Sequence, residues 1–166
     1  MKTATMRGVV LAALLASGMP LGLAATARAQ SAPPYGPPVS LEAAKKAAAA
    51  ALAAVTQNKF VPYVIAIVDP AGRLVFFERM DNAQYGSIRV ALDKARSAAL
   101  YRRPTKVFDD LLAKGRTAIL ALHGAVPLEG GVPLVSDGKV IGAIGASAGT
   151  GPQDGIVAAA GAAAIK

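Results

Sequence analysis

Asp137-Gly138 stands between two apolar runs, Gly131-Val-Pro-Leu-Val-Ser136 and Lys139-Val-Ile-Gly-Ala-Ile-Gly-Ala146, and no other feature restricts the fold of this chain as strongly. An Asp-Gly pair tolerates the two positive φ angles of a tight turn whose twist matches paired strands, so the runs are expected to form a β-hairpin. A second hairpin is predicted where Tyr63-Val-Ile-Ala-Ile-Val68 meets the turn Asp69-Pro-Ala-Gly72 and continues into Leu74-Val-Phe-Phe77. The first of these strands is apolar at successive positions, so both of its faces are expected to be covered. Gly142 and Gly145 carry no side chain on the last strand, which permits a backbone, a helix or a flat ligand to approach closely.

Helical periodicity fills the spaces between the hairpins. Ser40 is placed to cap a first helix running to Asn58, with Leu41, Ala44, Ala48, Ala51, Leu52 and Val55 at helical spacing. Residues 85–102 predict a second helix with Ile88, Leu92, Ala95 and Ala99 on its buried stripe and Arg89 paired with Asp93 on its surface. Pro104 ends it, Thr105 is positioned to cap a short third helix through Leu112, and residues 116–122 predict a further helical turn or a short strand. Thr150-Gly-Pro-Gln-Asp154 opens a last, alanine-rich helix with Pro152 in its first turn. The order α-ββ-α-α-(α)-ββ-α lacks βαβ alternation and therefore predicts an α+β fold, an antiparallel sheet flanked by helices.

The first forty residues read differently. Lys2 and Arg7 precede an apolar stretch that closes on Ala27-Arg28-Ala29, the small-x-small pattern of signal-peptidase cleavage. Gly18 and Pro20 interrupt that stretch, leaving it short of the roughly 20 residues that cross a bilayer. Residues 1–29 are thus expected to be a signal peptide, residues 30–39 a proline-rich linker serving as a spacer, and residues 40–166 one domain, periplasmic or secreted, with no membrane span after processing. There is no cysteine, so neither a lipid anchor nor a disulfide is available and the core must suffice alone. Loss of Lys2, Arg7 and Arg28 lowers the formal charge from +8 to +5. That balance suits anionic small molecules, while the scarcity of aromatic residues near the basic ones argues against nucleic acid.

Five segments, taken in order, resemble the family of haem-binding or haem-degrading-type domains that includes GlcG and HbpS. They are Val68-Asp-Pro-Ala-Gly-Arg-Leu74, Glu78-Arg-Met-Asp-Asn-Ala83, Lys94-Ala-Arg-Ser-Ala-Ala99, Gly130-Gly-Val-Pro-Leu134, and Asp137-Gly-Lys-Val-Ile-Gly-Ala-Ile-Gly-Ala-Ser147 followed by Gln153-Asp154. The resemblance covers residues 40–166 and implies a profilin-like antiparallel sheet flanked by helices, assembled as a homo-oligomer. It implies haem or another tetrapyrrole as ligand. The GlcG type points instead to an accessory protein or enzyme of small organic-acid metabolism, and a non-catalytic oligomeric scaffold is a third reading.

His123, the only histidine, is the first candidate for haem iron because imidazole is its commonest protein ligand; a lone histidine is otherwise an ordinary surface residue. The resemblance, which includes members with hydroxyl ligation, adds Ser97 and Thr105, and such alternatives imply that removing His123 alone has a modest effect. The bland roles of these two are a solvent-facing helix position and a helix cap. Arg96, Arg102 and Arg103, with Lys106, gather near the end of the second helix, where cations complement the helix dipole and can also pair with propionates. The apolar wall for a macrocycle is expected from the strand over residues 140–146 or from the second helix's stripe. Gly145-Ala-Ser-Ala-Gly149 spells a nucleophile elbow, but it follows a hairpin strand and no acid and histidine succeed it in order, so hydrolysis is not expected. A zinc cluster and a phosphate loop are likewise missing from the sequence.

Overall fold

A computed structural model of the chain describes residues 31–165; the expected signal peptide lies outside the described residues. The elements run α1 Leu41–Gln57, β1 Val64–Val68, β2 Leu74–Arg79, α2 Gly86–Tyr101, α3 Lys106–Ala113, a 3-10 turn Thr117–Ala121, β3 Gly131–Ser136, β4 Lys139–Ser147 and α4 Gly151–Ala163. All strand pairs are antiparallel, in the order β2-β1-β4-β3. The expected α+β architecture is therefore present, with both hairpins in place. Asp137 and Gly138 take φ of 49° and 71°, the paired positive angles that a two-residue hairpin turn requires.

Three layers result. β1 is buried at every position because α2 covers one face of the sheet, while α1 and α4, packed on each other, cover the other. Val64, Ala66 and Val68 meet Ala91, Ala95, Ala98 and Ala99 of α2. Ile65, Ile67 and Ile144 face Ala47, Ala48 and Ala51 of α1 and Val157 and Ala158 of α4. Alternation of side chains along a strand sends successive residues into the two layers.

Small residues set the spacing of these layers. A Cβ at Gly145 would overlap the carbonyl oxygen of Ala91 and lie 2.7 Å from the Ala95 amide, so the gap on the last strand is filled by α2 and not by a ligand. The same closeness shifts the inward stripe of α2. Ser87, Ala91, Lys94, Ala95, Ala98 and Ala99 are buried, whereas Ile88, expected inside, is 36% exposed. A helix pressed against strand backbone has room beneath it for alanine and serine, and its branched residues move to the flank.

The caps divide in the same way between expectation and finding. Ser40 accepts a hydrogen bond from the Ala43 amide, and Gln153 accepts one from the Thr150 amide. Thr105 precedes α3 but makes no side-chain cap; its hydroxyl is used elsewhere. The proline-rich segment, expected to be a spacer, is docked. Pro34 O accepts from Val140 N at 2.8 Å, Gly36 N donates to Val140 O at 2.8 Å, and Val39 N donates to Ile141 O at 2.7 Å. It runs beside β4 beyond the end of β1, whose last partner is Ala143. Tyr35 donates to Leu100 O at 2.9 Å and lies under the Arg102 guanidinium, 5.0 Å from the ring centroid.

Candidate functional site

Residues 122–130, between the 3-10 turn and β3, form a loop that carries His123 on an exposed position. Leu120, Leu122 and Leu128 are exposed with it, Leu120 to 64%. An accessible imidazole offers a coordinating nitrogen, and accessible leucines close to it in the chain offer apolar contact, two things that an iron macrocycle takes from a protein.

The loop is anchored by side chains of the neighbouring helices. Tyr101 Oη donates to His123 O at 2.8 Å, Ser97 Oγ accepts from Val126 N at 3.0 Å, and Thr105 Oγ1 donates to Leu128 O at 2.6 Å while accepting from Gly131 N at 2.9 Å. Ser97 and Thr105 are fully buried. Ser97 thus does not occupy the solvent-facing position that its place in a helix allowed. Both hydroxyls are committed to backbone and shut away from the surface.

The arginines do not form one cluster. Arg96 Nε donates to Gly72 O at 3.2 Å and its guanidinium lies 3.6 Å from Asp93, so it is turned toward the β1–β2 connection. Arg102, in the left-handed region with φ of 51°, donates to Pro33 O at 3.0 Å. Arg103 donates to Tyr101 O and stands 6.0 Å from the Phe108 ring, itself edge-on to Tyr101 at 5.2 Å. Through Tyr101, Arg103 is the arginine tied to the His123 loop. Lys106 pairs with Asp110 at 2.7 Å, and that hydrogen bond raises its pKa.

Neither wall expected for the macrocycle is free: β4 is covered on both faces, and the small-residue stripe of α2 lies against it. A separate depression of about 670 Å³ is lined by Arg79, Asp81, Asn82, Ala83, Gln84 and Tyr85, with Arg79 5.1 Å above the exposed Tyr85 ring.

A buried polar group escaped the sequence altogether. Lys94 Nζ meets Asp154 Oδ2 at 2.6 Å, with side chains only 3% and 5% exposed, and also bonds Ala146 O at 3.3 Å. Asp154 Oδ1 accepts from the amides of Ala148 and Gly149. Gly130 and Gly131 clear the path, since a Cβ at Gly130 would lie 3.0 Å from Lys94 Nζ and one at Gly131 would lie 2.9 Å from the Lys94 carbonyl carbon. The Tyr63 hydroxyl sits nearby, buried and without a well-formed hydrogen bond; burial first, and then the Asp154 charge, hold it protonated well above the usual phenol range. Ser147 of the elbow-like string is also buried, 3.1 Å from the Ser87 hydroxyl, which accepts from Gln84. Among the described residues no group of three or more His, Cys, Asp or Glu side chains is placed to hold a metal ion, and no helix is long and apolar enough to cross a membrane.

The family model for haem-degrading HbpS-like proteins matches residues 39–163, and the chain belongs to that family. GlcG of Escherichia coli K12 is 45% identical over 83 residues, 50% of this chain and 62% of GlcG, so the match spans less than two thirds of that relative. The crystal structure of HbpS is similar with a TM-score of 0.71 and 32% identity, covering 79% of this chain and 92% of HbpS. The crystal structure of a PduOC–haem complex is similar with a TM-score of 0.69 and 29% identity, covering 78% of this chain and 96% of PduOC.

Proposed function

We propose that the protein binds haem, or a related tetrapyrrole, outside the cytoplasm, with His123 as the protein ligand to iron and Arg103 as a cation for a propionate. The observation that carries this reading is an exposed imidazole among exposed leucines on the fold of a haem-degrading family, one of whose structural neighbours is solved with haem. Haem held there would supply a redox-active iron; the chain itself supplies the nitrogen, the leucine contacts and the cation. Titration of the protein from residue 30 onward with haem should give a shifted Soret band that saturates near one equivalent per subunit. No spectral change would remove the proposal. Because the Ser97 and Thr105 hydroxyls are buried, His123→Ala is expected to weaken binding by at least about tenfold, roughly 1.4 kcal/mol, which is more than hydroxyl alternatives imply. Unchanged affinity would exclude His123.

Export and assembly belong to the same proposal. Ala27-Arg28-Ala29 leads us to expect Gln30 as the mature N terminus, and the family resemblance leads us to expect a homo-oligomer. Mass spectrometry and light scattering on the exported protein check both. Intact Met1 on membrane-bound material would refute export, and a monomer at high micromolar concentration would refute assembly.

The depression beneath Arg79 supports a second reading, in which a small organic acid binds there as the GlcG likeness suggests. A guanidinium with the Asn82 and Gln84 amides nearby has the donors that a carboxylate needs. A carboxylate whose binding survives His123→Ala and is lost with Arg79→Ala would favour it.

A further inference from the structure

The loop that carries His123 contributes little to the core. Leu122, His123 and Leu128 are exposed, and Gly124 and Gly130 take φ of 74° and 120°. Burial does not fix such a segment, so its backbone must be fixed by hydrogen bonds or remain mobile. Three side-chain hydroxyls make four hydrogen bonds to the backbone of the loop and of its junction with β3: Tyr101 to His123 O, Ser97 to Val126 N, and Thr105 to both Leu128 O and Gly131 N. Ser97 and Tyr101 are four residues apart and lie on one face of α2. Thr105 follows the Pro104 break and, as donor and acceptor at once, closes the far end of the loop.

We propose that Ser97, Tyr101 and Thr105 form a hydroxyl clamp that sets the position of the His123 imidazole, acting as positioning residues and not as ligands. Two of the three are the hydroxyls that the family resemblance offers as iron ligands, and their geometry assigns them to the backbone of the loop. A coordinating group is effective when its own backbone and rotamer are held by a supporting shell. The clamp provides that shell through backbone atoms of the loop. The consequence for haem affinity rests on the reading of His123 as iron ligand; the consequence for the loop does not.

Tyr101→Phe, Thr105→Val and Thr105→Ser separate these consequences. Tyr101→Phe removes one hydroxyl at an exposed site and keeps the ring against Phe108, so it tests the clamp even if Thr105→Val fails to fold. Without haem, the ring resonances of the single histidine and the amide exchange of residues 122–130 report the loop. Both Tyr101→Phe and Thr105→Val should broaden or split the histidine signals and speed loop exchange, with α1 and α4 unchanged, and Thr105→Ser should behave as wild type. Haem affinity should fall about three- to tenfold in the first two variants, the effect of one hydrogen bond of ordinary net strength, and His123→Ala should abolish that difference. Wild-type ring signals and exchange in Tyr101→Phe would overturn the clamp. A loosened loop with unchanged haem affinity would overturn the positioning role. Absence of haem binding in the wild type would defeat the functional reading, and the exchange result would still decide the clamp.

Discussion

Asp154→Ala is expected to destabilise the fold by about 3–5 kcal/mol, the cost of leaving a buried charge without its partner. Lys94 reaches Asp154 at 2.6 Å with both side chains almost fully enclosed, so water cannot replace the lost carboxylate. The amides of Ala148 and Gly149, which Asp154 accepts from at 3.2 and 3.0 Å, lose their acceptor in the same step. The pair joins α2 to the start of α4 around the glycine pair that opens β3, and its loss should loosen three elements together. Replacing both partners, as Lys94→Met with Asp154→Leu, should cost less, because no buried charge is left unpaired, and what remains is the loss of the acceptor for the Ala148 and Gly149 amides. Urea denaturation of the single and double variants gives the comparison. A loss below about 1 kcal/mol in Asp154→Ala would place the pair among surface-like bridges and contradict its burial.

Gly145→Ala is the second large effect, near the upper end of the roughly 1–3 kcal/mol associated with overpacking. The added methyl would collide with the Ala91 carbonyl and the Ala95 amide, which are backbone atoms of a helix, so no rotamer change relieves it. α2 must move away from the sheet as a unit. Gly138→Ala is the control: its φ is +71° but nothing lies within 4 Å of the new carbon, and only about 1 kcal/mol of left-handed backbone strain is expected. Equal thermal stabilities of the two variants would show that layer spacing is not set by Gly145.

What the sequence revealed and concealed follows from the range of the interactions. The Asp137-Gly138 turn, the Ser40 cap, the Pro104 break and the extents of the helices are local, and each appears where its residues predict it. The stripe of α2 was displaced because hydrophobic size is not the criterion for a helix laid on glycine; closeness is, and that depends on Gly145, some fifty residues away. Lys94 and Asp154 both stood in segments that carry the family resemblance, yet nothing in either segment names the other as partner. For the candidate site, His123 was legible as a lone imidazole. The buried setting of Ser97 and Thr105 was not, because a hydroxyl that serves a distant loop has the same local sequence as one that faces water. The prolines at 33, 34, 37 and 38 correctly indicate extended backbone. What they hide is that Gly36 and Val39 retain the amides through which that extended backbone joins the sheet.

That last attachment changes where the folding unit begins. Cutting the chain back to the first helix would bare Val140 and Ile141 at the point where β1 has already ended. An unpaired stretch of central strand is a template for any extended chain that meets it, and aggregation is the ordinary result. The tether therefore also acts as a plug: Arg102 holds the Pro33 carbonyl and lies over the Tyr35 ring, so the segment ahead of the first helix is moored to the body of the domain.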